Sequence, residues 1–438
     1  MATPSKIQLT ADQDMGFGLK GISEESARTA SQLLQENHER HHIFFNESGF
    51  HDHIVHHILT VFALGASPST LKKQYKNNLS YQKPLKPADQ SVVKEMHNPE
   101  GFKKYLGQGK RYHEFLVFFK EEMETKGWHN VVNEYLFKGD ERADDMLVRL
   151  YAGFLHPLIH LGFGIEFTQP AIIAEALAQT AVHENWMGAL FTGCEKVAKQ
   201  NNTTGDKTIV QLLEEIRADK KLSTAPRWED GNKIREGILG RAAEEMYKYG
   251  SEFRVTEERL EERTAEMINA AVLFTASAQH PPHRQKFDFY YMHCVNSSIF
   301  FPIFLRQPWL SPSSKIRLLE WKVRADLTLY ASRRSPALLV KELSTYPIND
   351  EWEDLFARAR EFEDDGHSSK LVRAIAHGEK VSREWEEGRE GFLVRGDMWL
   401  RVGNMAMDSV TVGNDEWVRS CGFEEAWKSV PLRGEGRL

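Results

Sequence analysis

The residues with the most chemistry to offer are histidines: eighteen in 438 residues, seven of them between His38 and His57. A neutral imidazole binds metals, donates and accepts hydrogen bonds, and changes charge near neutral pH. In FEDDGHSSKLVRAIAHGEK (Phe362 to Lys380), Asp364 and Asp365 are good helix caps, and Gly366 lets the chain turn before a new helix. On that helix His367 and Lys370 lie three apart and share a face, with His377 seven residues after Lys370. A protonated lysine is no metal ligand, so the pair matters only if Lys370 is modified or its pKa is lowered. The plain alternative is a capped helix with a surface lysine.

Three other stretches repeat the theme. In GFHDHIVHHILTVFALGA, His53, His56, His57 and Thr60 fall on one side of a helix, opposite Val55, Ile58 and Phe62. Imidazoles at i, i+3 and i+4 reach a common point, so a metal site and a polar stripe are both open readings. In LYAGFLHPLIHLGFGIEF, His156 and His160 lie four apart, with Pro157 placed to bend the helix. Polar rings in so apolar a run need hydrogen-bond partners or a metal. In FDFYYMHCVNSSIFFPIF, His293 sits among Tyr290, Tyr291, Phe300 and Phe301. Those aromatics are either a flat pocket for an aromatic ligand or ordinary core.

Helices must position these groups. Helical periodicity with cap residues runs over 23–45, up to Gly65, from Ser67-Pro68 to Tyr81, over 109–126, 140–165 and 170–183. It returns over 208–217, 231–249, 256–276, 312–332, 336–343 and 350–362, with a loop at 199–207. No alternating strand pattern and no 20–50-residue repeat interrupts it. The expectation is one all-α domain spanning 1–438, with a metal site between helices.

Composition removes several functions. The chain is 41% hydrophobic and 27% charged, with a net charge of -7 and no dense Lys/Arg run, which argues against a nucleic-acid or anionic-membrane surface. Cys194, Cys294 and Cys421 are scattered and form no CxxC, so neither a disulfide framework nor a thiolate zinc site follows. MATPSKIQLT lacks the layout of a signal peptide, and no apolar run approaches the ~20 residues of a membrane span. A cytoplasmic protein without membrane partners is expected. The final Gly-Arg-Leu only partly resembles a peroxisomal Ser-Lys-Leu end. Gly16, Gly18 and Gly21 form a GxGxxG, but polar residues precede it and Glu24 and Glu25 open the next helix, which would repel a pyrophosphate.

Taken together and in order, GFHDHIVHHILTVFALGAS, FLHPLIHLGFGIEF, YYMHCVNSS and DDGHSSKLVRAIAHGE resemble the questin oxidase-like family of fungal polyketide pathways, over nearly the whole chain. The resemblance implies an enzyme that inserts oxygen into anthraquinones and related fused aromatic polyketides and opens a ring. Within the family, NADPH-dependent Baeyer–Villiger enzymes are described, as is a non-haem iron dioxygenase held by four histidines and a carboxylated lysine. Carried over by position, that ligand set falls on His53, His156, His293, His367 and Lys370. The resemblance makes this choice over His56, His57, His160 and His377; spacing does not.

The leading expectation is therefore an Fe(II)-dependent dioxygenase that cleaves a carbon–carbon bond of an anthraquinone-type substrate. Carbon dioxide would sit on Lys370 as a carbamate, an oxygen ligand that needs the neutral amine. Tyr290 and Tyr291 would contact the substrate, and dioxygen would be the second reactant. The alternative is an NADPH-dependent Baeyer–Villiger monooxygenase on the same substrate class, for which the sequence shows no competent dinucleotide fingerprint. A third possibility is a non-catalytic helical protein whose histidines serve the core or store metal.

Overall fold

A computed structural model describes residues 1–45, 49–413 and 415–434, so the Gly-Arg-Leu end lies outside the described residues. The fold is all-helical: among the described residues β pairing is confined to isolated bridges such as His41 with Pro84. The helices gather into two compact units, and the chain passes between them at residues 187, 305, 310, 358 and 370, so neither unit is a contiguous half.

The first unit carries α1 (Glu24–Arg40), α2 (Ile54–Ala63), α3 (Tyr112–Lys126), α4 (Glu141–Leu150), α5 (Ala152–Glu166) and α6 (Pro170–Val182). At its centre is α6, opened by Pro170 and buried at every residue, packed on α3 and α5. Its alanines let neighbouring helices approach closely. Buried in its middle is a carboxylate, Glu175, which must be paired to be tolerated there. Ser23 and Asp140 cap α1 and α4 through Ser26 N and Ala143 N.

The bend expected at Pro157 occurs earlier. α4 and α5 meet at 97°, and the turn is made by Gly153, Phe154 and Leu155, all with positive φ. Proline then does what it does well, serving the first turn of a helix that has just begun. Other departures are local: α1 stops at Arg40 rather than near Phe45, and 233–239 forms a π-helical segment.

The second unit is built around the long helices Leu260–Ser277 and Pro312–Ser332. Three of its buried ion pairs close within a turn, Lys322 with Asp326, Arg324 with Glu320 and Arg263 with Glu266. Among the described residues no single helix is long and apolar enough to cross a membrane.

Candidate metal centre

Three of the expected ligands meet in the first unit, each at a helix start. His53 is the N-cap of α2, His156 follows the left-handed turn into α5, and His367 opens a helix running His367–Ser382. All three are buried, and their ligand atoms lie within 4.8 Å of one another. Nitrogens bound at ~2.1 Å to one ion would be spaced similarly. The unpaired N–H groups at a helix start carry partial positive charge, which favours the neutral ring that a ligand must be.

Hydrogen bonds set which nitrogen faces inward. His53 Nδ1–H donates to Asp365 Oδ2 at 3.0 Å, and His367 Nδ1–H donates to the other oxygen of the same carboxylate. His156 Nδ1–H donates to the Gly153 carbonyl at 2.6 Å. All three rings thus hold their proton on Nδ1 and present Nε2. His53 Nε2 and His156 Nε2 stand 2.8 Å apart, and two lone pairs at that distance are favourable only with a cation between them. Burial and the nearby Lys370 charge hold the His53 imidazole down at about 3, so it is neutral at physiological pH. The donor set fits a divalent metal.

Asp365 was legible only as a cap. The cap is its neighbour: Asp364 accepts from Gly366 N and Ser368 N at 2.7 and 2.8 Å, leaving Asp365 for the histidines. Although burial works against it, the two imidazole donors hold the Asp365 carboxyl well below the usual range. Gly366 has φ +90° and lies where a Cβ would come within 2.6 Å of His57. Lys370 is buried, which brings its amine down to about 8 against the pull of Asp365 and Asp364.

Three of the four histidines that spacing left open have hydrogen-bond partners of their own. His56 and His160 bond to each other and lead to Glu175, while His57 accepts from Asn78 at 3.0 Å. His293, on the second unit's helix Tyr291–Ser298, has the ligand-like tautomer, with Nδ1–H donating to Phe289 O at 2.7 Å. In the same unit, Tyr291 is fully buried with its hydroxyl donating to Tyr330 O, and Tyr290 lies under the Arg333 guanidinium. A pair that sequence reasoning missed, His51 and His183, share one proton between Nε2 atoms 3.0 Å apart, and His51 stacks on His156 with centroids 4.1 Å apart.

The glycine turn at 16–21 does not fit a dinucleotide. Gly16 N already donates to Glu166 at 2.9 Å and Leu19 N to Ala63 O at 2.8 Å, and Asp12, Asp14 and Glu24 line the hollow beside it. No strand leads into it among the described residues.

Similarity to known proteins identifies the family. Residues 50–375 match the family described as Questin oxidase-like. The chain is 42% identical to the Baeyer-Villiger monooxygenase dmxR6 of Cryptosporiopsis sp., over 94% of this chain and 95% of the relative. It is 42% identical to the Baeyer-Villiger oxidase AgnL3 of Paecilomyces divaricatus, over 97% and 95%. With the Questin oxidase of Aspergillus terreus it shares 39% identity over 98% of each.

These names correct the leading expectation. A Baeyer–Villiger monooxygenase inserts one oxygen atom beside a carbonyl, so the non-haem iron dioxygenase that cleaves a ring with both atoms is overturned, and Fe(II) with it as the expected cofactor. Residue types reveal ligands but carry no information on how many oxygen atoms reach the product. The carbamate on Lys370 is corrected too. It was expected from the His367-to-Lys370 spacing, the resemblance to the iron enzyme and the lack of an acidic residue at the matched ligand positions. It falls with that iron chemistry, because the relatives are named Baeyer-Villiger monooxygenases and oxidases.

Proposed function

Because the chain belongs to the Questin oxidase-like family, an oxidoreductase family, we propose that it is a Baeyer–Villiger-type monooxygenase acting on a fused aromatic ketone or quinone of the anthraquinone class, a polyketide product, in the cytoplasm. One atom of dioxygen enters the bond between the carbonyl carbon and its neighbour. The other leaves as water, with two electrons from NADPH. The observation that carries this reading is full-length similarity to relatives bearing that activity in their names.

The histidine cluster supports it as the reaction site. A divalent cation held by His53, His156 and His367 would act as a Lewis acid on the carbonyl oxygen. Asp365 and the Gly153 carbonyl keep the three Nε2 atoms turned to one point. Lys370, whose charge is felt at both His53 and His56, stabilises the negative charge that builds on the carbonyl oxygen as an oxygen nucleophile adds. Burial of all these groups strengthens each electrostatic contact.

The test is turnover of an anthraquinone under ¹⁸O₂ with NADPH supplied. One labelled atom in a ring-expanded or ring-opened product, with NADPH consumed in step, is expected. Two labelled atoms, or turnover independent of NADPH, would overturn the reading.

A further inference from the structure

A buried guanidinium is tolerated where a carboxylate meets it, and the second unit keeps to that rule at Arg263 and Arg324. Arg333 departs from it. The residue is 3% exposed, yet among the described residues no carboxylate lies within ion-pair distance of it. Its Nη1–H donates to Ser332 Oγ at 2.9 Å, and its carbon lies 3.9 Å from the centre of the Tyr290 ring. Its Nε–H is buried with no hydrogen-bond partner among the described residues. The acid two residues before Tyr290 is already committed, since Asp288 accepts from Tyr290 N, Tyr291 N and Cys421 N at 2.8, 3.1 and 2.8 Å.

Two further cations stand beside this one. Exposed Arg334 and half-buried Lys233 lie over the same ring, with Arg334 Cζ and Lys233 Nζ each 5.3 Å from the centre of Phe423. Lys233 is anchored there by the Trp228 and Asp230 carbonyls at 2.7 and 3.1 Å. Burial first, and then the Arg333 charge, lower its amine against the pull of Asp230, Glu229 and Glu236. Asp230 is taken by Arg241, and Glu236 accepts from Gly231 N at 3.0 Å. The turn itself is strained: Arg334 and Ser335 have φ of 62° and 46°, a left-handed backbone that costs non-glycine residues energy. Gly422 presses on it so closely that a Cβ would lie 1.8 Å from Arg333 O. Ser335 Oγ is a second buried group with no hydrogen-bond partner among the described residues.

Three neighbouring cations and two orphaned polar groups on a strained turn call for an anion. A carboxylate brings one charge, whereas a phosphate monoester brings close to two, with three acceptor oxygens. We propose that Arg333, Arg334, Lys233 and Ser335 form a binding site for a phosphate group. Its source is either the 2′-phosphate of the nicotinamide dinucleotide or free phosphate. Assigning it to the dinucleotide rests on the monooxygenase reading, and the site itself does not. Trp228, 39% exposed and 5.7 Å from Phe423 between ring centres, offers an aromatic surface to a base attached to that phosphate.

The experiment is calorimetric titration of the full-length, substrate-free protein with inorganic phosphate, adenosine 2′,5′-bisphosphate, NADP⁺ and NAD⁺. Saturable binding of the phosphate compounds is expected, weakened about tenfold or more in Arg334→Gln and in Arg333→Lys, which keeps the charge but loses the planar fork. Arg235→Gln removes the same charge from the Lys233 segment and should change nothing. NADP⁺ bound at least about tenfold more tightly than NAD⁺ and inorganic phosphate supports the site and gives the phosphate to the reductant. NADP⁺ bound no better than inorganic phosphate supports it as a site for free phosphate. No saturable binding of any phosphate compound, or equal affinity in Arg334→Gln and Arg235→Gln, overturns it. A wild-type protein that inserts no oxygen with NADPH yet binds phosphate through Arg334 defeats the functional reading and leaves the site standing.

Discussion

Two layers of histidine sit on the same pair of helices, one turn apart, and do opposite things. In the outer layer His53 and His156, joined by His367, have their Nδ1 protons taken from behind by Asp365 and the Gly153 carbonyl, so three Nε2 atoms converge. In the inner layer His56 and His160 have their ring nitrogens threaded in a line that ends on Glu175. Ring type and helical spacing are the same in both. What differs is where the carboxylate stands. Placed behind the rings it makes a ligand set, and placed in line with them it makes a hydrogen-bond chain.

The difference is sharpened by acid. Burial opposes ionisation of Glu175, yet the donors His160 and His38 bring its carboxyl down to about 2. A carboxyl lowered on folding contributes stability that is whole above its unfolded pKa near ~4.5 and lost as pH falls toward the folded value. Chemical denaturation from pH 6 to pH 2 should therefore show roughly 3 kcal/mol of acid-dependent stability that Glu175→Gln lacks. An identical slope in the variant would mean that the inner layer holds no ionised carboxylate.

A smaller effect tests the outer carboxylate. Asp365→Asn keeps the shape but weakens both acceptor bonds, and metal affinity measured by competition with a chelator should fall about 10- to 100-fold. Glu175→Gln should leave that affinity within about threefold of the wild type. If the two variants behave alike, the layers are not chemically distinct.

The smallest expected change comes from the turn that aims His156. Gly153 has φ +54°, and an added Cβ would lie 2.5 Å from His183 Cε1 and 3.0 Å from His51 Cε1. Gly153→Ala should cost about 1–2 kcal/mol from backbone strain alone, seen as a lower Tm, with weaker metal binding because the Gly153 carbonyl no longer meets His156 Nδ1. A variant with unchanged Tm and affinity would show that the turn does not position the ring.

Much of the fold was legible because helical spacing and caps are local: Ser23, Ser67, Asp140 and Pro170 open helices where expected. The kink at Gly153–Leu155 was not, because proline was the visible breaker and a left-handed turn of one glycine and two bulky residues has no strong signature. The histidine stretches were equally visible, but spacing did not separate the outer layer from the inner. That choice depends on Asp365, 312 residues from His53, and on Glu175, 137 residues from His38. Two signals were present and passed over. A helix start uses one cap, so the second aspartate of Asp364-Asp365 was spare, and a lone glutamate in PAIIAEALAQTAV had to be paired with something.

Metal content of His156→Ala and His160→Ala, purified side by side and loaded with the same divalent ion, tests the account most directly. The two residues lie one turn apart on α5, so a general loss of folding would affect both. The wild type should hold one ion per chain by elemental analysis, His160→Ala should retain it, and His156→Ala should lose most of it. Equal retention in both variants, or loss confined to His160→Ala, would contradict the assignment of the outer layer as the ligand set.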